Sequence, residues 1–525
     1  MSQSVVPQQS ALVVDPRVHF QDSNLYLIAK GAQEVSYQRF TSNSSTSTSS
    51  QAFQCNPPSA QVGIDRRVMV RHYVQWTFTG ADQGSALLEL GSNDAPQSYP
   101  ISRCLDSISM QINQGQVTQN YGDYISAQLR YKNPRDVMQD GLLSLCPSMM
   151  DQFQELSDWT TLGSGRNPLA AYGEVDSQAS RGAFPVTVVS NTNTSAVVRA
   201  VITEPLFMSP FTWDADEHMA LAGVSSMQLT LNYSDLSKTW SHSSAGKTIS
   251  TLSVAFYQAP EILFTYLTPD PAVRQEAIPR SLSYPYFNTT RYPQPGVSLA
   301  AAASSQVTFN NIQLQSIPSA IYIFARQQNA DLTYTSSDSF LGITQVQLTF
   351  NNKQNMLSNA TQQDLYHIAR KNGCELSWPQ WSKYVGSVLK LVPGEDFGLG
   401  AGMAPGLVGS FNLLATVTFE NTGSQTKTFT PYLCVVQDGV FSVMDGQSIS
   451  QIAGALTQRD ILDAPMRPGV GYHEFRDLGY LGGSLHSAGG LASAGLGSAG
   501  ALSSAGAKRG AGIMSRSDLV KMRDY

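Results

Sequence analysis

Apolar and polar residues alternate along much of the chain in short runs bounded by turn-forming clusters. Residues 67–78 (RVMVRHYVQWTF), 105–112, 186–202, 227–231, 252–256, 321–325, 345–350, 413–419 and 429–436 either repeat with a period of two or are rich in β-branched and aromatic side chains. A period of two sends one set of side chains into a core and the other outward. In 415–419, Ala415, Val417 and Phe419 form the predicted core face, and Thr416 and Thr418 the outer one. Many such strands in a long chain predict an all-β protein made of sandwiches or jelly rolls. Helical periodicity is rare. Residues 360–372 (ATQQDLYHIARKN) place Leu365, Ile368 and Ala369 on one face, with Gly373 as a stop. Weaker patterns cover 149–156 and 450–456 with Ile461. In an all-β chain these short helices belong in the connections between strands.

Two zones punctuate this pattern. Residues 268–295 hold Pro269, Pro271, Pro279, Pro285, Pro293 and Pro295, which forbids a continuous central strand or helix and marks a boundary near the midpoint. Residues 482–512 are a Gly/Ala/Ser/Leu tract that offers too little apolar bulk to form a core. The polar stretch 40–50 (FTSNSSTSTSS, from Phe40 on) reads as a loop. Two β-rich blocks of similar size flank the proline zone, without direct sequence repetition between them.

Composition narrows the picture. Charged residues are 14% of the 525, against roughly 25% in ordinary soluble proteins. A surface poor in charge suits a subunit packed among copies of itself. With 33 basic and 39 acidic side chains, the chain lacks the basic footprint of a nucleic-acid binder. No apolar run reaches the ~18 residues of a membrane span, and the opening MSQSVVPQQ lacks the charged start and apolar run of a signal peptide. The cysteines (Cys55, Cys104, Cys146, Cys374, Cys434) are scattered, without a C-x-x-C pair, and read as reduced thiols of a protein made in cytosol or nucleus.

Candidate chemistry is sparse. Residues 398–406 (GLGAGMAPG) miss the dinucleotide-binding pattern, because Met403 or Pro405 stands where its third glycine is needed; they read as a surface loop. No P-loop and no G-x-S-x-G elbow is present. The seven histidines never pair at i, i+4, and His72, between Arg71 and Tyr73, reads as a sheet-surface histidine. Asp214, Asp216, Glu217 and His218 form the densest polar group and could serve a cation or acid–base chemistry, but the segment lacks EF-hand spacing and reads rather as a solvated loop with a helix-start bias. Glu395 and Asp396 are a second acidic pair. Trp378 and Trp381 could be a stacking platform for bases or sugars, or packing anchors under a loop. No catalytic, cofactor-binding or metal site is predicted.

Several segments carry a family resemblance. They are 57–68 (PPSAQVGIDRRV), 204–213 (EPLFMSPFTW), 259–271 (APEILFTYLTPDP), 279–286 (PRSLSYPY), 317–326 (IPSAIYIFAR), 338–352 (DSFLGITQVQLTFNN), 357–381 (LSNATQQDLYHIARKNGCELSWPQW) and 386–399 (GSVLKLVPGEDFGL). In this order the stretch from Ala32 to Val440 resembles the double jelly-roll major capsid proteins of polinton-like viruses and adintoviruses. The resemblance implies two consecutive eight-stranded jelly rolls, with short helices in the connecting loops and flexible termini. The implied division is an N-terminal arm at 1–31, a first jelly roll at 32–272, a second at 273–466, and a Gly/Ala/Ser-rich, weakly basic tail at 467–525.

The same resemblance implies a homotrimer whose six jelly rolls make a pseudo-hexameric capsomer. Such capsomers meet their neighbours, penton and other minor proteins in an icosahedral shell around double-stranded DNA. Loops at 141–182 and 357–409 are the expected outer towers and clasp. Phe211, Trp213, Trp378 and Trp381 are the expected subunit-packing anchors. Lys508, Arg509, Arg516, Lys521 and Arg523 are candidates for contact with the genome or minor proteins, though their excess over nearby acids would bind feebly from one copy. The expected location is the virion, with synthesis in host cytosol and assembly in nucleus or cytoplasm. Two alternatives stand beside this reading: a glycan-binding β-sandwich attachment protein using Trp378 and Trp381, and an enzyme centred on residues 214–218.

Overall fold

The computed structural model describes residues 32–131, 186–269 and 281–464, apart from 60–61, 82–83, 85, 89–93, 97–98, 121, 212–219, 243–247, 328–339, 375, 385, 424–425 and 445–447. The first half of the chain supplies β1 (Glu34–Thr41), β2 (Ser50–Gln54), β3 (Gly63–Ile64), β4 (Met69–Ala81), β5 (Asp94–Pro96), β6 (Leu105–Ile112), β7 (Gly115–Asn120), β8 (Val186–Asn191), β9 (Ser195–Pro205), β10 (Met227–Tyr233), β11 (Trp240–His242) and β12 (Thr248–Thr268). They build two facing antiparallel sheets, β1-β12-β4-β9-β8 and β2-β10-β6-β7, with β3 also on β12 and β5–β11 as a small ribbon. Counted in chain order, the eight principal strands are β1, β2, β4, β6, β7, β9, β10 and β12. One sheet then runs first–eighth–third–sixth and the other second–seventh–fourth–fifth, which is jelly-roll order.

The second half repeats this order with unrelated residues. Its strands are β13 (Ser281–Pro293), β14 (Val297–Leu299), β15 (Ser304–Ser316), β16 (Ala320–Arg326), β17 (Gly342–Phe350), β18 (Lys353–Met356), β19 (Leu389–Leu391), β20 (Val408–Glu420), β21 (Lys427–Met444) and β22 (Ser448–Ala453). The sheets are β13-β21-β16-β19, with β14 and β22 also on β21, and β15-β20-β17-β18. The principal strands β13 and β15–β21 give the same first–eighth–third–sixth and second–seventh–fourth–fifth sequence. The fold is all-β, a double jelly roll.

Alternation explains the cores. In β20, Leu413, Ala415, Val417 and Phe419 are buried while Thr416 and Thr418 are half-buried on the other face. In β4 the inward set is Val70, His72, Val74, Trp76 and Phe78. His72 therefore corrects the sheet-surface reading: it is 1% exposed, Nε2 lies 2.7 Å from the Tyr233 hydroxyl, and burial lowers its pKa to about 3. It shares parity with Val70 and Val74, and that parity overrides the polarity of a neutral imidazole. The strand β12 spans 21 residues, with register shifts between Phe256 and Glu261 that let it bend while pairing β4, β1 and β3.

The proline zone does contain a strand, β13, but at the edge of its sheet, where Pro285 removes no rung from a central ladder. Helix α1 (Pro100–Arg103) and helix α2 (Tyr124–Gln128) lie in connections of the first unit. Helix α3 (Gln362–Lys371) matches the expected 360–372 segment: Thr361 and Asp364 form a reciprocal capping box, and Leu365 and Ala369 are buried. The 450–456 pattern is not helical. It forms β22, because the Gly439–Met444 end of β21 extends past β16 and offers an open edge. The helix comes later, as α4 (Gln458–Asp463), capped by Thr457. The expected loop 357–409 is likewise not one loop, since it contains α3 and the principal strand β19. The helix expected at 149–156 and the tower loop at 141–182 lie outside the described residues.

Candidate functional site

The feature that sets this chain apart from a pair of independent sandwiches is a built seam between the two jelly rolls. After α2, a 3₁₀ turn at Leu129–Tyr131 carries Tyr131 onto β19, an outer strand of its sheet. An outer strand leaves backbone groups without a ladder partner. Here the Tyr131 hydroxyl donates to the Val388 carbonyl at 2.6 Å and accepts from the Lys390 N–H at 2.8 Å. Tyr131 is 3% exposed, so the phenol of one jelly roll supplies a rung to the sheet of the other. Tyr322 of β16 stands edge-on to both Tyr124 and Tyr131, each at 5.5 Å, and the Lys390 ammonium lies 5.7 and 5.8 Å from the Tyr131 and Tyr322 ring centres.

A second knot surrounds Asp123. Its carboxylate accepts from the Tyr432 hydroxyl at 2.7 Å, and Arg291 and Arg326 each lie 4.0 Å away. Arg326 also donates to the Asp123 carbonyl at 3.3 Å. A third contact joins Tyr284 of β13 to the first unit: its hydroxyl donates to the Ala220 carbonyl at 3.0 Å and accepts from the Ala222 N–H at 2.9 Å. Gln119 of β7 donates to the Phe287 carbonyl at 2.8 Å. Burial raises the pKa of Tyr131 well above the phenol range; for Tyr432, burial and then Asp123 do the same. The phenols therefore stay protonated donors at any physiological pH. All seven residues of β16 are buried, because its outward face is covered by the first jelly roll. The arrangement is mechanical: it locks two sandwiches into one block.

The residues singled out from sequence fall into three groups. Phe211 and Trp381 are 2% and 0% exposed and pack within the chain. The Trp381 indole donates to the Val388 carbonyl at 3.2 Å, the same oxygen that the Tyr131 hydroxyl donates to, and its ring lies 5.7 Å from Tyr366. Trp378 stacks on Trp381 at 6.3 Å and is half-buried, so it alone of the described three keeps a face toward solvent. A sugar platform needing both tryptophans is not available, and the glycan-binding alternative has no support. Glu395 and Asp396 brace the end of α3: Lys371 lies 3.0 Å from Glu395 and 3.2 Å from Asp396, and Asp396 accepts from the Asn372 side chain and the Val392 N–H. The segment 398–406 is a turn whose Gly398 and Leu399 carbonyls accept from Lys353. Trp213, Asp214, Asp216, Glu217, His218, Cys146 and the tail cations Lys508, Arg509, Arg516, Lys521 and Arg523 lie outside the described residues.

Among the described residues no group of three His, Cys, Asp or Glu side chains could hold a metal ion, and no helix is long and apolar enough to cross a membrane. Cys55, Cys104, Cys374 and Cys434 are buried, with no disulfide between them. Sequence reasoning missed Tyr131, Asp123, Tyr284 and Arg326. The period-two pattern of β16 did mark residues 321–325 as a strand, but nothing local says that its second face is also covered.

Comparison with known proteins meets this geometry over both jelly rolls. Residues 8–266 match the model of the Sputnik virophage major capsid protein first domain, and residues 284–439 match that of the major capsid protein V20 C-terminal domain. The capsid protein V20 of Sputnik virophage is 32% identical over 516 residues, covering 91% of this chain and 85% of the relative. A chain in the cryo-EM structure of the Sputnik virophage superposes with a TM-score of 0.81 at 31% identity, covering 91% of this chain and 99% of that one. The crystal structure of the mavirus major capsid protein gives 0.72 at 14% identity, covering 88% and 99%, a likeness of fold. Two domain models matched in chain order, each over one of the jelly rolls described above, and a relative aligned almost end to end place this chain in the family of Sputnik-type virophage major capsid proteins.

Proposed function

We propose that the protein is the major building block of an icosahedral shell, acting as a homotrimer without catalysis. The observation that carries this reading is the rigid seam between two jelly rolls of the same strand order. Three copies of such a block present six similar sandwiches, so a trimer can fill a six-fold lattice position while each loop set differs. The low charge content fits lateral faces that lose water when capsomers meet. Trp378 is the packing anchor best placed to meet a neighbour, and Trp213 is assigned the same role. The tail, with Lys508, Arg509, Arg516, Lys521 and Arg523, is assigned to the inner face, toward packaged DNA or minor proteins such as the penton. We take the division at 272/273, synthesis in host cytosol, and kinship with polinton-like viruses and adintoviruses as further parts of this reading; the last is supported by the sequence segments quoted above.

The test is the mass of the purified chain by light scattering, followed by negative-stain imaging. The expected mass is about 170 kDa, three times 56.8 kDa, with a hexagonal outline in projection. A monomer that never associates, at any concentration or ionic strength, overturns the proposal.

A further inference from the structure

The seam uses only half of what the repeated strand order offers. In the second jelly roll one row of paired residues, Arg291–Cys434–Tyr322–Lys390, crosses the larger sheet from β13 through β21 and β16 to β19. Arg291, Tyr322 and Lys390 of that row meet Asp123, Tyr124 and Tyr131 of the first unit. Those three residues lie at α2 and the 3₁₀ turn that follows it, in the connection between the fifth and sixth principal strands, β7 and β9.

The first jelly roll has an equivalent face, the outer side of β1-β12-β4-β9. The buried set of β4 has even numbers, so Tyr73 points outward from this third strand, as Tyr322 does from the third strand of the second unit. Its ring centre lies 5.8 Å from that of Tyr257, and the Arg199 guanidinium of the sixth strand sits 4.9 Å over Tyr257. Lys390, on the other sixth strand, sits over Tyr322 in the same manner. Val201, the register partner of Tyr73, completes the centre of the face. At the edge, β1 turns Phe40 inward onto Phe264 and leaves Val35 47% and Tyr37 79% exposed. All of β16 is buried under its neighbouring unit, whereas here Arg199 is exposed and Tyr73 and Tyr257 are only half-buried. A sheet face that meets only water is ordinarily polar, and tyrosine and arginine are the residues that protein–protein contacts favour.

The second jelly roll holds the matching unused half. Its own connection between fifth and sixth principal strands, β18 and β19, carries α3 and the segment with Trp378 and Trp381. Trp378 is half-buried there, and α3 leaves Gln363, His367 and Arg370 exposed. We infer that the outer face of β1-β12-β4-β9 docks on the α3–Trp378 segment of a second copy of this chain, so that each contact between copies repeats the seam within a copy. The occupant is a second copy because the element that the repetition calls for is already present on the same chain. Such a contact runs head to tail, and because every copy carries one face and one covering segment, it continues the seam from chain to chain until a ring closes. The inference deepens the homotrimer reading and rests on it: seams and intersubunit contacts would alternate around the ring.

The test places the photo-crosslinker p-benzoylphenylalanine in the full-length protein at Tyr257 or at Arg199. Light scattering first gives the mass, and irradiation is followed by a denaturing gel and peptide mass spectrometry of the two-chain band. Linkage from both probes into residues 362–384 is expected. Arg199→Glu, a change on the exposed face that leaves the buried set of β4 intact, should raise the concentration of half-dissociation by roughly tenfold or more. A trimer whose cross-links from both probes fall elsewhere, or stay within one chain, would overturn this inference and leave the trimer standing. An Arg199→Glu oligomer as tight as the unaltered one would overturn it as well. A protein that is monomeric throughout would overturn the trimer reading, and this inference with it.

Discussion

Replacing Tyr131 with phenylalanine removes one oxygen from the seam and leaves the ring in place. Phenylalanine keeps the edge-on contact with Tyr322 at 5.5 Å and the ring beneath the Lys390 ammonium. What disappears is the acceptor of the Lys390 N–H and one of the two donors to the Val388 carbonyl, which keeps the Trp381 indole at 3.2 Å. The Lys390 N–H is the group left unpaired on the edge of β19, and with Tyr131 only 3% exposed, little water can reach it in its place. A buried polar group left without a partner costs about 1–3 kcal/mol, and a hydroxyl–carbonyl bond is worth about 1 kcal/mol net. A loss of about 2 kcal/mol is therefore expected, on the order of a 4–8 °C fall in melting temperature for a unit of this size.

A local readout is sharper than the global one. Hydrogen–deuterium exchange followed on a peptide spanning β19 should accelerate about 30-fold at the Lys390 amide, the equivalent of about 2 kcal/mol in opening free energy. Amides in β4, deep in the first jelly roll, should be unaffected. Unchanged protection at Lys390 in a folded Tyr131→Phe protein would refute the reasoning, since it would mean that β19 holds its edge without help from the first unit.

Three further outcomes follow from the same geometry. A Cβ on Gly439 would sit 1.7 Å from the Ile452 carbonyl oxygen, so Gly439→Ala should drive β22 off β21 and expose it to exchange, whereas Gly122→Ala meets only the movable end of Arg291 and should leave the melting temperature nearly unchanged. Trp381→Ala should lose about 3–5 kcal/mol in denaturant unfolding, because the ring is fully buried, while Trp378→Ala should alter stability little and instead weaken association measured by light scattering. Burial raises Glu204 and Asp438 to about 7 in the folded chain. Their contribution is fully present below the unfolded carboxylate values near 4 and is lost as pH rises through about 7. The urea midpoint should therefore fall between pH 5 and pH 8, and Asp438→Asn should flatten that slope.

Local pattern carried a great deal in this protein. Strands β6, β16 and β20 are legible because alternating residues such as Leu413, Ala415 and Val417 need only a two-sided sheet to explain them. Helix α3 is legible because its cap, Thr361 with Asp364, and its stop, Gly373, are written within one short segment. The same logic, followed strictly, would have put His72 in the core, since it shares parity with Val74 and Trp76; its polarity drew the expectation outward.

Errors arose where a distant partner decided. Residues 450–456 carry apolar spacing that suits a helix, yet the free end of β21 captures them as β22. The rung that Tyr131 gives to β19 joins residues 257 and 259 positions apart, and the Asp123–Tyr432 bond spans 309. No periodicity records such pairings, because each partner looks locally like an ordinary turn or strand residue. Strand content and the parity of the core faces were thus determined by the sequence alone, through short-range sterics and the segregation of apolar side chains. The jelly-roll strand order and the seam that makes two sandwiches one block were decided only by tertiary structure. Those depend on which surfaces meet after the sheets have formed, and on the free energy of leaving a buried polar group unpaired.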